Sequence, residues 1–263
     1  MEYLAFILWC FLVALAGGLV GLVLGNLRLP ATVLLATSPA TGTGANLVIS
    51  AVAAGTASIA HVRAGRINWR LFAWMAPPSV AGAVAGGYLS GVIDEDTLLL
   101  AIAAVLLYSA AQLARWTPPQ RRPAQEGAAA VDANAAADAA DAPLDVRAAV
   151  LTGAFIGLLG GMVGLILGSL RMPALLRFVG EVPQRAVGTN LAVGVLVGVA
   201  GALGHLPSAA PDWGLAALGS AASIPGALLG SRLTGRLSEV QLVRAIAAVL
   251  LLAAVAMAVQ AIA

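Results

Sequence analysis

Residues 21–30 read GLVLGNLRLP, and residues 164–173 read GLILGSLRMP. The same glycine-rich phrase, with an arginine two residues before a proline, therefore occurs twice within apolar sequence. Glycine and proline interrupt helices, and an arginine is costly within hydrocarbon, so both features are unusual in a membrane segment. Because the phrase is repeated, it predicts an anion site at the interface between two repeats.

The composition around the phrase is that of a membrane protein. The chain has 263 residues, of which 60% are hydrophobic and only 10% are charged, against about a quarter charged in a soluble domain. Several uncharged stretches reach about 18 residues, the length of a membrane-crossing helix. Backbone groups in lipid must bond within their own segment, so these stretches are helical. We expect an all-α, polytopic transmembrane helical bundle in the lipid bilayer, with no nucleic-acid partner.

The duplication extends beyond the phrase. The sequence GANL at 44–47 aligns with GTNL at 188–191, and AIAAVLL at 101–107 recurs at 245–251. A long internal repeat of this kind indicates two homologous structural units. We predict a first transmembrane repeat over 1–115 and a second over 148–263. The intervening residues 116–147, rich in Pro, Ala and Asp, are predicted to be a flexible linker.

The arginines predict how the repeats cross the membrane. In each half a short segment begins at the proline of the phrase, giving Pro30–Ser38 and Pro173–Gly180. If this segment extends the first helix, each half crosses four times and the repeats are parallel. If it turns back, each half crosses five times, the repeats are inverted, and every arginine except Arg171 falls on one side, as the positive-inside rule favours. We therefore expect inverted repeats with broken or re-entrant helices, and turns that leave Arg28 and Arg171 near opposite membrane faces.

The phrase and the helix starts that follow it supply what a small oxyanion requires. Arginine offers a planar fork of donors, a helix start offers free N–H groups, and glycine lets the backbone approach closely. The alternatives are snorkelling of the arginines to an interface, and capping or interhelical bonding by the asparagines. The predicted substrate-binding residues are Gly25, Asn26, Arg28, Pro30, Thr43, Asn46, Gly168, Ser169, Arg171, Pro173, Thr189 and Asn190.

Other polar and small residues have more ordinary interpretations. The spacing of two glycine pairs, at 82 and 86 and at 226 and 230, predicts close helix packing. His61 and His205 end apolar segments, so we expect them at an interface, with proton sensing as the alternative. Neither has a Cys or carboxylate at ligand spacing, so we expect no metal and no cofactor. The long apolar segments lack Asp and Glu, so proton coupling would have to use histidine or the substrate itself.

The order of these motifs resembles the sulfite exporter TauE/SafE family of membrane permeases. The resemblance rests on the following residues: Gly160-Gly161, Gly164, Pro173, AVGT at 186–189, Asp212-Trp213 and GALLG at 226–230. It implies export or uptake of a small sulfur-containing or organic anion, such as sulfite, sulfoacetate or another sulfonate. The chain departs from the family at Arg28 and Arg171, where family members usually carry an aliphatic residue.

These patterns together predict a secondary transporter, not an enzyme, that moves such an anion across the bacterial inner membrane by alternating access. The sequence leaves open whether the protein forms a homo-oligomer. The sequence has no phosphate-binding GxxxxGK[ST] motif and no GxSxG or HExxH motif, which argues against self-powered transport through that motif and against intramembrane hydrolysis. The alternatives are a membrane scaffold or assembly factor that transports nothing, and an anion channel.

Overall fold

The structure is a computed structural model that describes residues 1–89, 95–115, 145–163, 165–177, 179, 181–206 and 210–262. All regular secondary structure in these ranges is α-helical, which confirms the all-α expectation. The ten helices are α1 Glu2–Val20, α2 Gly25–Leu35, α3 Pro39–Arg63, α4 Trp69–Tyr88, α5 Glu95–Ala114, α6 Val146–Val163, α7 Gly168–Arg177, α8 Pro183–His205, α9 Trp213–Thr234 and α10 Glu239–Gln260.

Five of these helices are long and apolar enough to cross a bilayer, as expected of a polytopic membrane protein. They are α1, α9 and α10 over their full lengths, most of α3 and most of α8. The predicted linker lies almost entirely outside the described residues, which resume at Asp145. The division of the chain into two repeats and their inverted relation stay predictions.

The first copy of the phrase forms a reversal of the chain. Gly21 ends α1 in the left-handed conformation, with φ 70°, and the N–H of Leu22 donates to the carbonyl of Gly17 at 2.9 Å. Beyond a short non-helical stretch, the carbonyl of Leu27 in α2 accepts a hydrogen bond from Nε1 of Trp9 at 2.9 Å. Trp9 lies eleven residues before the end of α1, a distance of about 16 Å along a helix. The chain therefore returns deep along α1 before α2 ends.

The short helices begin earlier than the prolines predict. The expected start at Pro30 is wrong, because α2 begins at Gly25 and contains Pro30 in its interior. The start expected at Pro173 is also wrong, because α7 begins at Gly168. Proline has no N–H, so Pro30 leaves the carbonyl of Asn26 without its helical donor. The side chain of Gln260 in α10 donates to that carbonyl at 2.9 Å instead, which explains why the proline is tolerated there.

Glycines bring the two predicted repeats into close contact. Helix α1 packs along α9, and α4 packs along α6, so each contact joins one half to the other. A Cβ at Gly226 or Gly230 would lie 2.3 or 2.1 Å from a carbonyl oxygen of α1, and Gly82 and Gly86 face α6 at similar distances. The predicted close packing at these four glycines is confirmed. Most buried apolar residues of both halves accordingly form one shared core, and a smaller cluster lies around Cys10.

Candidate functional site

Arg28 is enclosed in the middle of the helix bundle. Its side chain is 2% exposed, its Nε donates to Oδ1 of Asn46 at 3.0 Å, and its Nη2 donates to the hydroxyl of Ser50 at 2.6 Å. Ser50 lies halfway along α3. The expectation that the turn leaves Arg28 near a membrane face is therefore wrong, because the non-helical residues 22–24 carry the chain back to mid-depth before α2 begins.

Arg171 occupies the corresponding place in the second half. It is fully buried, and its Nη1 donates to Oδ1 of Asn190 at 3.2 Å. Its Nε has no hydrogen-bond partner among the described residues. Since Asn46 and Asn190 are equivalent in the duplication, Ser50 aligns with Gly194, which has no side chain to accept a bond. Each arginine thus bonds to an asparagine in both halves, with one acceptor fewer in the second.

Neither guanidinium has an acidic partner in the described part of the chain, where Arg185 and Glu181 form the one recorded ion pair. The partners of both buried arginines are neutral amide and hydroxyl oxygens. A buried charge with only neutral partners is costly, and an anion that enters reduces that cost. The two arginines therefore give the centre of the bundle a positive potential that is unbalanced by the described residues.

The two asparagines also fix the starts of the short helices. Nδ2 of Asn46 donates to the carbonyl of Gly25 at 3.1 Å, and Nδ2 of Asn190 donates to that of Gly168 at 3.0 Å. Asn190 additionally donates to the carbonyl of Gly21 at 2.6 Å, so it joins the break in the first half to α7. Each amide holds a guanidinium beside the N-terminal, positive end of a short helix.

There is little room for a side chain where these helices begin. A Cβ at Gly25 would lie 2.9 Å from the hydroxyl of Ser50, and one at Gly168 would lie 3.3 Å from the Nδ2 of Asn190 and 3.3 Å from the backbone N of Val23. The last contact shows that the start of α7 touches the residues preceding α2. The two half-sites are therefore neighbours.

A small cavity of about 20 Å³ lies beside Arg28, enough for about one water molecule. Apart from Arg28 and Ser50, its walls are apolar, with Val13 and Ala14 from α1, Val23 from the break and Leu191 from α8. One end of the cavity thus carries a charge and the remainder is apolar.

The other predicted residues are distributed differently. Pro30 is exposed, Thr43 is half-buried, and Asn26, Ser169 and Pro173 are buried. Thr189 is buried, but its hydroxyl accepts a hydrogen bond from the backbone N–H of Asn68, at 3.0 Å. It therefore helps to fix the loop between α3 and α4 rather than the arginine.

Sequence reasoning missed Ser50. Its signal was present, because Ser50 lies four residues after Asn46 and such residues share one face of a helix. No group of three metal-binding side chains is found among the residues that the structure describes.

The family model described as Sulfite exporter TauE/SafE matches residues 6–257, nearly the whole chain. No curated protein and no solved structure matches significantly. The matched range includes both arginines, both asparagines and every described helix except the terminal turns of α1 and α10. The chain therefore belongs to the sulfite exporter TauE/SafE family of membrane transport proteins.

Proposed function

We propose that this protein is a secondary transporter that moves a small sulfur-containing or organic oxyanion across the bacterial inner membrane by alternating access. The observation that carries the proposal is the pair of buried arginines, Arg28 and Arg171, whose partners are neutral and which stand beside the starts of two broken helices. Transport is supported because the chain belongs to a family of membrane transport proteins. An anionic substrate is supported by the two buried arginines.

The chemistry of the pair fits a sulfonate, sulfite or carboxylate group. A guanidinium can donate two parallel hydrogen bonds to such oxygens, and these charge-assisted bonds are stronger than neutral ones. The N-terminal ends of α2 and α7 add positive potential without adding a side chain. Broken helices whose N-termini meet near the middle of a bundle are a recurrent way in which transporters hold anionic groups.

Loop contacts at both ends of the bundle support alternating access. At the end of the bundle that carries Arg63, Arg66 and Arg70, the arginine-rich end, Asn68 bonds to Thr189 and to the carboxylate of Glu181. At the opposite end, the N–H of Asp212 donates to the carbonyl of Thr41 at 3.1 Å. Each contact joins the loop after the third helix of one half to residues of the other half. If the contacts at one end broke while those at the other end stayed, the central site would open to one side of the membrane only.

The test uses the purified protein in detergent and in proteoliposomes. Binding of sulfite, thiosulfate, sulfoacetate, taurine and short carboxylates is followed by thermal shift, and uptake of the best of them is then measured. Arg28→Met and Arg171→Met remove the charge and keep most of the side-chain volume, while Arg63→Met on the exposed surface serves as the control. Since a charged hydrogen bond contributes about 1.5–3 kcal/mol, we expect each central variant to bind about 10–100-fold more weakly.

The outcomes separate the candidate functions. Normal binding and uptake by both central variants would remove the arginines from the site. If no anion changes the melting temperature of the unmodified protein and no anion is taken up, the scaffold function is favoured. A voltage-driven anion current that does not saturate would indicate a channel.

A further inference from the structure

His61 is a buried polar group that the anion site does not use. The residue lies two positions before the end of α3 and has no exposed surface, which contradicts its expected place at an interface. Neither ring nitrogen has a hydrogen-bond partner within the described ranges. A neutral imidazole always carries one donor and one acceptor, so a buried ring with neither satisfied is costly.

In the form that the structure describes, the ring is buried away from water, and such burial disfavours a positive charge on it. The backbone of Gly18, in the last turn of α1, lies beside the ring, and the C-terminal end of a helix favours a cation once water reaches it. On the side of α8, the neighbour is Gly188, where a Cβ would lie 3.1 Å from that of His61. Of the described residues, Arg66 is the charged group close to the ring.

The position of His61 links it to the contacts that close the arginine-rich end. The carbonyl of His61 accepts a hydrogen bond from the N–H of Arg66 at 2.9 Å, and the carbonyl of Arg66 lies against Gly188. Two residues later, Asn68 makes the bonds to Thr189 and Glu181. Opening this end must therefore move α8 and the loop away from His61, which would admit water to the ring.

We propose that His61 is a proton-binding site that favours the open form of the arginine-rich end, so that anion transport is linked to a proton. In the enclosed form the ring is neutral and unbonded. In the open form one ring nitrogen accepts a proton from water and becomes an imidazolium that donates to water and to the carbonyl of Gly18. Closure returns the proton to water. The link to transport rests on the proposed function, but the proton site does not.

The first experiment measures opening without any substrate. In a Cys10→Ser background, Ser58→Cys places a thiol three residues before His61, on the same face of α3. Ser58 is buried, and its hydroxyl has no partner within the described structure, so the exchange is mild. Labelling by a membrane-impermeant maleimide is compared at pH 5.5 and pH 7.5. Each rate is divided by that of Ala64→Cys, an exposed position, to remove the effect of thiol ionisation.

We expect the normalised labelling rate to rise on acidification by up to about tenfold per pH unit, the limit for one linked proton. His61→Gln should make the rate independent of pH, and His205→Gln, the matched change in the other half, should leave the dependence intact. A flat rate in the unmodified background, or an unchanged dependence in His61→Gln, overturns the proposal. If His61→Gln does not fold, NMR titration of His61 in the His205→Gln protein decides, and a ring that stays neutral down to pH 5 overturns it.

The second experiment tests the link to transport with sulfoacetate in proteoliposomes. The unmodified protein should accumulate sulfoacetate when a pH gradient is imposed. His61→Gln should still exchange it across the membrane but should not accumulate it. If the unmodified protein moves no anion, the proposed function fails while the labelling result still decides the proton site. Accumulation by His61→Gln equal to that of the unmodified protein would break the link between proton and anion.

Discussion

Arg28 donates to the hydroxyl of Ser50 at 2.6 Å, whereas the position equivalent to Ser50 in the second half is Gly194. A side chain at this position would be crowded, since a Cβ at Gly194 would lie 2.8 Å from Cγ2 of Val23. The guanidinium of Arg171 also bonds to its asparagine through Nη1 and keeps an Nε donor that no described residue accepts. The two half-sites thus differ in donor capacity, and the second has more of it left for an anion.

This difference predicts the effect of Ser50→Ala. Removing the hydroxyl leaves Nη2 of Arg28 without its acceptor, so the ligand-free protein should lose about 1.5–3 kcal/mol of stability. A saturating anion supplies the missing acceptor, so the loss should be smaller when sulfoacetate is bound. Denaturation with and without sulfoacetate measures both values. Ser58→Ala, which removes a buried hydroxyl without a recorded bond, is the control. An equal loss with and without the anion would contradict contact between the anion and Arg28.

The glycines at the helix starts predict a loss of anion binding. In Gly25→Ala the new methyl group would displace Ser50 and Asn46, whose atoms lie 2.9 and 3.2 Å from it, and would misplace Arg28. We expect the affinity for the anion to fall more than the stability does, as measured by isothermal titration beside thermal unfolding. Gly55→Ala is the control within α3, because its methyl group meets only Val195, at 4.0 Å. Unchanged affinity in Gly25→Ala would place the anion elsewhere.

A double-mutant cycle tests the pairing of Gln260 with the carbonyl that Pro30 frees. Gln260→Ala should cost about 1–3 kcal/mol, the range for a buried acceptor left unsatisfied. In a Pro30→Ala background the backbone N–H at position 30 returns to that carbonyl, so the same change should cost much less. Chemical denaturation of the four proteins gives the coupling. Additive effects of the two substitutions would show that Gln260 does not compensate for the proline.

The packing between α1 and α9 predicts a strong response to one methyl group. In Gly230→Ala the Cβ would lie 2.1 Å from the carbonyl oxygen of Leu15, so the two helices must move apart and the folded yield should fall. Gly201→Ala adds the same group in α8, where the nearest atom is 3.6 Å away, and should be neutral or stabilising because alanine favours helix. Detergent-solubilised yield and melting temperature measure both. If Gly230→Ala and Gly201→Ala have the same yield and melting temperature, α1 and α9 are not in close contact at Gly230.

The residue types at the site were predictable because the chemistry of an anion site restricts them. Arg28 and Arg171 are conspicuous as cations in apolar sequence, and the repeated asparagines are conspicuous beside them. Ser50 was missed because a lone serine in an apolar helix is common, and its role depends on the rotation of α3. The helix starts were misplaced because proline at a first turn is the usual pattern, and no local signal shows that Gln260, far along the chain, compensates for an interior proline.

The sequence by itself determined the helical class, because backbone groups in lipid must form their hydrogen bonds within their own segment. It also determined the duplication, because the two halves have identical residues at many equivalent positions. It favoured a return of the chain at the doubled phrase, and the structure shows that return for the first copy. Only the tertiary structure decided how deep the arginines lie and what they contact. That depth depends on how far residues 22–24 re-enter between α1 and α8, and no local pattern encodes it. The difference between the half-sites likewise appears only when Ser50 and Gly194 are seen beside their arginines.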